Sequence, residues 1–145
     1  MRGLIQRVST AEVSIDGSSV GRIDHGILLF LGIEASDTEK HSSKMIHKVL
    51  NYRLFTDDAG RMNNSVIDRA GGVLVVSQFT LVADTRKGLR PGFSTAATPA
   101  YAKNCYDDFV MQLQAAYPSV ASGVFGADMQ VSLCNDGPVT FLLDI

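Results

Sequence analysis

The chain predicts an α+β fold: a mainly antiparallel or mixed sheet, barrel-like in its closure, with two main helices packed on it. Three observations predict it. Apolar segments of strand length alternate with two segments of helical spacing, in the order strands, helix, strands, helix, strands. At 145 residues the chain suits a single domain, 1–145, with a sizeable core. Hydrophobic residues make up 46% and charged residues 19%, which is the balance of a globular protein rather than a disordered one. No repeat, linker or low-complexity stretch divides it.

LIQRVSTAEVSI (4–15) alternates as a half-buried strand does, with Ile5, Val8, Val13 and Ile15 among its apolar members. Asp16-Gly17 marks a turn, and SVGRI (19–23) returns as the second arm of a hairpin. ILLFLGI (27–33) is apolar throughout, as expected of a central strand buried on both faces. Ser36-Asp37-Thr38-Glu39 has the form of a capping box and opens a helix over 37–50, with Met45, Ile46, Val49 and Leu50 as its apolar stripe. YRLF (52–55) is a short strand, DDAG a turn, and RMNNSVIDRAGG is polar and irregular, a loop or a single helical turn. VLVVSQFTLVA (73–83) carries the strongest strand signal. DTRKGLRPGFS (84–94) is a loop by its Gly and Pro content. Thr98-Pro99 starts a second helix, with a cap residue and an N1 proline in their preferred places. Ala102, Cys105, Tyr106, Phe109, Val110, Leu113 and Tyr117 repeat at helical spacing, and Pro118 ends it. Two more strands are expected around 128–134 and 138–144. The helices would cover one face of the sheet, leaving the other polar or buried in a partner.

Charge and ligand chemistry narrow the function. Thirteen basic against fifteen acidic residues give a net charge of −2, so a basic sheath for double-stranded DNA is not expected. Cys105 and Cys134 match no metal or CxxC spacing, and His25, His41 and His47 form no ligand pair. Neither a metal nor a cofactor is expected. The N-terminal stretch lacks the apolar core of a signal peptide, and the longest apolar run falls far short of the about 20 residues that span a bilayer. The chain reads as cytoplasmic, with no membrane partner.

The familiar catalytic sets are missing: there is no GxSxG, P-loop or GxGxxG. Chemistry would then have to come from backbone groups, hydroxyls and the substrate. Four stretches are candidates. In SQFTL (77–81), three hydrogen-bonding side chains, Ser77, Gln78 and Thr80, interrupt an apolar run. Either the strand emerges into water there, or these residues floor a pocket, since burying each polar group without a partner costs about 1–3 kcal/mol. DTRKGLRPGF holds Arg86, Lys87 and Arg90 with Phe93, either as a solvated charge cluster or as a contact for phosphates and an unpaired base. GVFGADMQ (123–130) sets Phe125 between glycines, as core or as a stacking platform. NDGPVT (135–140) is either a plain trans turn between strands or a cis Gly-Pro tool, since an X–Pro bond favours trans by only about 0.5–1 kcal/mol.

Taken together, SQFTL at 77–81 and NDGPVT at 135–140 resemble the two signature motifs of the D-aminoacyl-tRNA deacylases. LIQRV, AGGVLVVSQFTLVADT, KGLRPGF and ADMQVSLCNDGPVTF agree, so the similarity runs from end to end. AEVSIDG (11–17) and Cys134 depart from the usual pattern, outside the proposed chemistry.

The resemblance implies hydrolysis of the ester joining a D-amino acid to the 3′ end of tRNA, by a homodimer with two symmetric pockets. Ser77, Gln78, Phe79 and Thr80 would line the pocket. Gly137-Pro138 of the partner, in the cis form, would enter it and reject L side chains. Met129, Phe125, Asn135, Val139 and Thr140 would bind substrate, with Phe125 against the terminal adenine. Arg7 would hold the Gly-Pro loop, and Arg86, Lys87 and Arg90 would meet tRNA phosphates. Glycine has no side chain to reject, so glycyl-tRNA, including glycine mischarged on tRNA-Ala, would also be accepted. Two mechanisms stay open. Thr80 could be a nucleophile, although no base is visible to activate it. Alternatively the 2′-OH of the terminal adenosine assists water while Phe79 and Thr80 N–H groups form an oxyanion hole, which is the preferred form because it needs no triad. The competing functions are a non-catalytic nucleic-acid-binding dimer of the same fold and a different small esterase.

Overall fold

The computed structural model describes residues 1–86 and 88–145; Lys87, one of the expected phosphate contacts, lies outside the described residues. In chain order the elements are β1 (Arg2–Ile15), β2 (Ser18–Ile23), β3 (Gly26–Gly32), α1 (Glu39–Asn51), β4 (Phe55–Thr56), β5 (Met62–Asn64), β6 (Gly72–Ser77), a 3-10 turn (Phe79–Val82), α2 (Pro99–Ala116), β7 (Val120–Ser122) and β8 (Gln130–Asp144). β1 and β2 form the expected hairpin, turning on Asp16 and Gly17, whose φ angles of 49° and 77° suit a tight reversal. β3 runs antiparallel to β1, while β6 joins β3, and β7 joins β6, in parallel. β8 pairs antiparallel with β1 along nearly its whole length. The sheet is therefore mixed, as expected. β4 and β5 make a separate small hairpin.

The path β2-β1-β3-β6-β7 curls until its ends approach each other. Gly21 in β2 permits this, since a Cβ there would lie 2.6 Å from the Ser122 carbonyl oxygen in β7. Closure creates two cores. One lies between sheet and helices, where Ile5, Ile27, Leu29, Leu31, Val73 and Val75 meet Met45, Val49 and Leu50 of α1 and Tyr106, Phe109 and Leu113 of α2. The other fills the curl, with Val8, Ala11, Val13, Ile23, Leu28, Leu74 and Val76. Each such aliphatic side chain contributes about 1.5–3 kcal/mol by leaving water. The face that the helices leave uncovered is thus apolar and self-buried over β1, β3 and β6, while most of β8 stays exposed. β3 and β6 have both faces buried, which explains their unbroken apolar sequences.

Several local expectations need correction, among them the strand expected over 52–55, which is Phe55–Thr56 alone and pairs with Met62–Asn64 from the segment expected to be irregular. The first helix is entered at Thr38, not Ser36, and the Thr38 backbone N–H donates to His41 Nδ1 at 3.0 Å. Asp37 is drawn inside instead, where its carboxylate accepts the Glu34 N–H at 2.7 Å. At the second helix, Thr98 and Pro99 hold the expected places, but the Thr98 side chain makes no capping hydrogen bond. The strand expected over 73–83 stops at Ser77. The Gln78 N–H donates to the Leu31 carbonyl at 2.8 Å, and the chain then winds into the 3-10 turn. That turn rests on Gly32, where a Cβ would sit 2.9 Å from Val82 Cγ1 and 3.0 Å from Leu81 Cβ. Finally, the two strands expected over 128–144 are one, β8, and the three-residue β7 precedes it. The register with β1 steps from Asn135 opposite Val8 to Thr140 opposite Gln6. Asp136, Gly137, Pro138 and Val139 therefore bulge out opposite Arg7 alone, and the Gly137–Pro138 peptide is cis.

Replacing Gly32 with Val should push the 3-10 turn off the end of β3. We expect a loss of about 1–3 kcal/mol of stability in urea unfolding, as in other overpacked sites, with the largest amide chemical-shift changes at residues 78–82.

Candidate functional site

A cavity of about 500 Å³ opens where β6 ends. Its floor is Val76, Ser77, Gln78 and Phe79; one wall is Ala96, Ala97, Pro99 and Ala102 at the start of α2; the opposite wall is Phe125 to Met129 and Val131, on the connection into β8. This size is ordinary for a small-molecule or nucleotide site. Among the described residues, Asp128 is the one charged side chain lining it. The N-terminal end of α2 faces the cavity and brings the positive pole of its dipole to an otherwise neutral wall.

The 3-10 turn gives this floor its chemistry. The first N–H groups of such a turn have no acceptor within it, and Phe79 and Thr80 hold those positions. A continuous strand would have spent these donors on a neighbour. Ser77 and Gln78 are half-buried, while Phe79 and Thr80 are exposed. Thr80 itself does not line the cavity, and its hydroxyl accepts a hydrogen bond from the Gln78 side-chain amide. Phe79 lines it and leans on Phe93, with ring centroids 5.2 Å apart.

Phe125 is held from behind. The buried Tyr106 hydroxyl is shared between the carbonyls of Val75 at 2.9 Å and Gly123 at 3.3 Å, which ties the β7–β8 connection to β6. Burial pushes the Tyr106 pKa well up, so this donor stays protonated. The Phe125 ring then packs at 5.9 Å from that of Tyr106, tilted by 46°, with part of its surface open to the cavity.

The bulge on β8 lies elsewhere. Arg7, Asn135, Gly137, Pro138, Val139 and Thr140 do not line the cavity of their own chain. Gly137 and Pro138 are exposed. Arg7 supports them from β1: Nε donates to the Asp136 carbonyl at 2.9 Å and lies 3.2 Å from the Asp136 carboxylate, while Nη1 donates to the Leu54 carbonyl at 2.7 Å. Gly137 has φ +143°, and a Cβ there would fall 2.7 Å from Val139 Cγ2 and 3.2 Å from Arg7 Nη2. Only glycine suits that position.

In the 84–94 loop, Arg86 grips Asp84 with two hydrogen bonds, of 2.9 and 2.8 Å. Those bonds hold the Asp84 carboxyl well below the usual carboxylate range. Arg90 is exposed. Among the described residues, no group of three His, Cys, Asp or Glu side chains converges as metal ligands would.

The structure thus brings Ser77, Gln78, Phe79, Phe125 and Met129 together and leaves the Gly-Pro stretch apart from them. Sequence reading missed Ala96, Ala97, Pro99 and Ala102. For the first three the signal was present as the small-residue run STAATPA (94–100), which leaves room beside the floor rather than offering a reactive group.

A family model described as D-Tyr-tRNA(Tyr) deacylase matches residues 4–144. The D-aminoacyl-tRNA deacylase of Pseudomonas entomophila (strain L48) is 56% identical over 145 residues, covering 100% of both chains. That of Cellvibrio japonicus (strain Ueda107) is 59% identical, covering 100% of this chain and 99% of its own. Among solved structures, the c-Myc DNA Unwinding Element Binding Protein matches with a TM-score of 0.95 at 39% identity, over 100% of this chain and 99% of its own.

Proposed function

This chain belongs to the D-Tyr-tRNA(Tyr) deacylase family and is a hydrolase, a D-aminoacyl-tRNA deacylase, and we propose from that premise that it proofreads chirality by freeing D-amino acids from the tRNA 3′ end while sparing L-amino acids. The observation that carries this reading is the cavity floored by Ser77, Gln78 and Phe79, which is large enough for an aminoacyl-adenosine end. A tRNA substrate puts the work in the cytoplasm, and among the described residues no helix is long and apolar enough to cross a membrane.

In this reading two copies of the chain complete each site. Gly137 and Pro138 stand exposed and away from their own cavity, so each protomer lends them to its partner. Support for a homodimer comes from β8, most of whose residues are exposed. Among the described residues this strand pairs with β1 alone. The lent carbonyls face the α-carbon of the bound amino acid. An L side chain collides with them, a D side chain points out, and glycine passes, so glycyl-tRNA, including glycine mischarged on tRNA-Ala, is also a substrate. Enantiomers offer the same groups to the pocket, so discrimination needs an obstacle as well as an attraction. A backbone obstacle enclosed by Val139 and Arg7 is stiffer than a side chain free to change rotamer.

Water adds to the ester carbonyl carbon, the bond to the ribose oxygen breaks, and that oxygen leaves as a hydroxyl after taking a proton. The 2′-OH of the terminal adenosine assists the water. The N–H groups of Phe79 and Thr80 steady the negative charge that develops on the carbonyl oxygen. In this reading Thr80 belongs to the pocket rather than acting as nucleophile, which is supported by its hydroxyl accepting from the Gln78 amide while, among the described residues, no base is hydrogen-bonded to it. Phe125 stacks on the adenine, Met129 packs beside it, and Arg90 takes a phosphate, Arg86 being engaged by Asp84. A second reading, nucleic-acid binding without hydrolysis, is favoured by the solved structure whose name records binding to a DNA unwinding element. The net charge of −2 weighs against it.

Three outcomes test the proposal. Given D- and L-tyrosyl-tRNA, the protein should release D-tyrosine at least about 100-fold faster; equal release would remove the chiral obstacle, and DNA binding with no release would favour the second reading. Thr80→Ala should keep kcat within about tenfold, whereas a fall of roughly 10³-fold or more in a folded protein would make Thr80 the nucleophile. Phe125→Ala should raise KM for aminoacyl-tRNA by about 5- to 100-fold, the size of one lost base stack, with a smaller change in kcat.

A further inference from the structure

Asn135, Val139 and Thr140 were expected to bind substrate, yet the structure occupies them with one another. Asn135 and Thr140 are the two residues at which β8 leaves and rejoins its register with β1, opposite Val8 and Gln6. They form the neck of the bulge that holds Gly137 and Pro138. The Asn135 side chain spans this neck. Its Oδ1 accepts the Val139 N–H at 2.8 Å, and its Nδ2 donates to the Thr140 hydroxyl at 3.2 Å. The same hydroxyl accepts from Gln6 Nε2 at 3.2 Å, which ties the neck to β1.

We propose that Asn135, braced by Thr140 and Gln6, is a positioning residue that closes the Gly137–Pro138 bulge into a fixed loop and so sets how strictly L-amino acids are refused. This rests on the chiral reading above. Pro138 has no N–H, so the Val139 N–H is the first backbone donor after it, and Asn135 captures that donor. Arg7 fixes the Asp136 side of the loop, and Asn135 fixes the Val139 side. With one side free, Gly137 and Pro138 could swing away from an L side chain. As oriented here, the position uses a group that accepts from a backbone N–H and donates to a hydroxyl at once; a carboxylate would keep the second contact only if that hydroxyl turned to donate. An amide of this length does both, while an ionised carboxylate only accepts.

The test compares kcat/KM on D- and L-tyrosyl-tRNA for the full chain and its variants. Asn135→Ala should lower the D-to-L ratio at least about tenfold, chiefly through faster hydrolysis of the L ester, and Asn135→Asp should fall between it and the parent. Thr140→Val should lower the ratio, and Thr140→Ser should restore it. Hydrogen exchange of the Val139 amide should quicken at least about tenfold in Asn135→Ala, with Leu143 unchanged. An unchanged ratio in Asn135→Ala would overturn the proposal. So would a raised KM for the D ester at constant ratio, which would make Asn135 a substrate ligand. If Asn135→Ala does not fold, Asn135→Asp and the Thr140 pair decide by the same ratio. Failure of the parent protein to discriminate would instead bring down the chiral reading, and this inference with it.

Discussion

Both edges of β1 carry hydrogen bonds along most of its length, to β3 and then β2 on one side and to β8 on the other. That sharing turns a sheet into a curl. Residues 2–8 of β1 serve one end of the fold and residues 11–15 the other, so the strand must bend where its partner changes. Its buried side chains change core there, Ile5 facing the helices and Val8 the interior of the curl. Arg7 sits at this crossover, where one residue of β1 answers four of β8. Without the doubly paired strand there would be no closed core to seat β6, no cavity at its end, and no excess of chain on β8 to form a bulge.

Most of this architecture was legible because burial leaves a period in the sequence. The alternation of β1, the apolar runs of β3 and β6, and the stripes of Met45–Leu50 and Ala102–Leu113 each mark an element. Legibility failed where a tertiary contact overrode local preference. Nothing within SQFTLVA says that the strand stops at Ser77, because the cause is Gly32, forty-five positions earlier, which leaves space for a turn. Nothing within NDGPVT says that the chain rejoins the same ladder, because the cause is the register that β1 offers on both sides of Arg7. SQFTL could be read as a candidate pocket floor, but the alanines that shape the cavity wall could not, since a small side chain announces room rather than chemistry.

Much of the polar chemistry that the cavity offers comes from main chain. A 3-10 turn presents N–H donors, a helix presents the positive end of its dipole, and on the proposed reading a neighbouring protomer presents carbonyls. Side chains mainly hold these groups in place: Tyr106 behind Phe125, Arg7 and Asn135 around Gly137. Such a site leaves few titratable landmarks, which is why composition and catalytic spacing disclosed so little of it. It also concentrates sensitivity at Gly32 and Gly137, where backbone approach leaves no room for a Cβ.

β8 has one further consequence. A fifteen-residue strand whose outer edge is unpaired among the described residues is a template on which other chains could add, the route by which sheets aggregate. The bulge interrupts that template. It divides the edge into two short stretches out of line with each other, and places between them a proline that can donate nothing. A foreign strand finds no long flat run to extend. The same departure from regularity that, on the proposed reading, serves recognition thus also shortens the edge that another chain could extend.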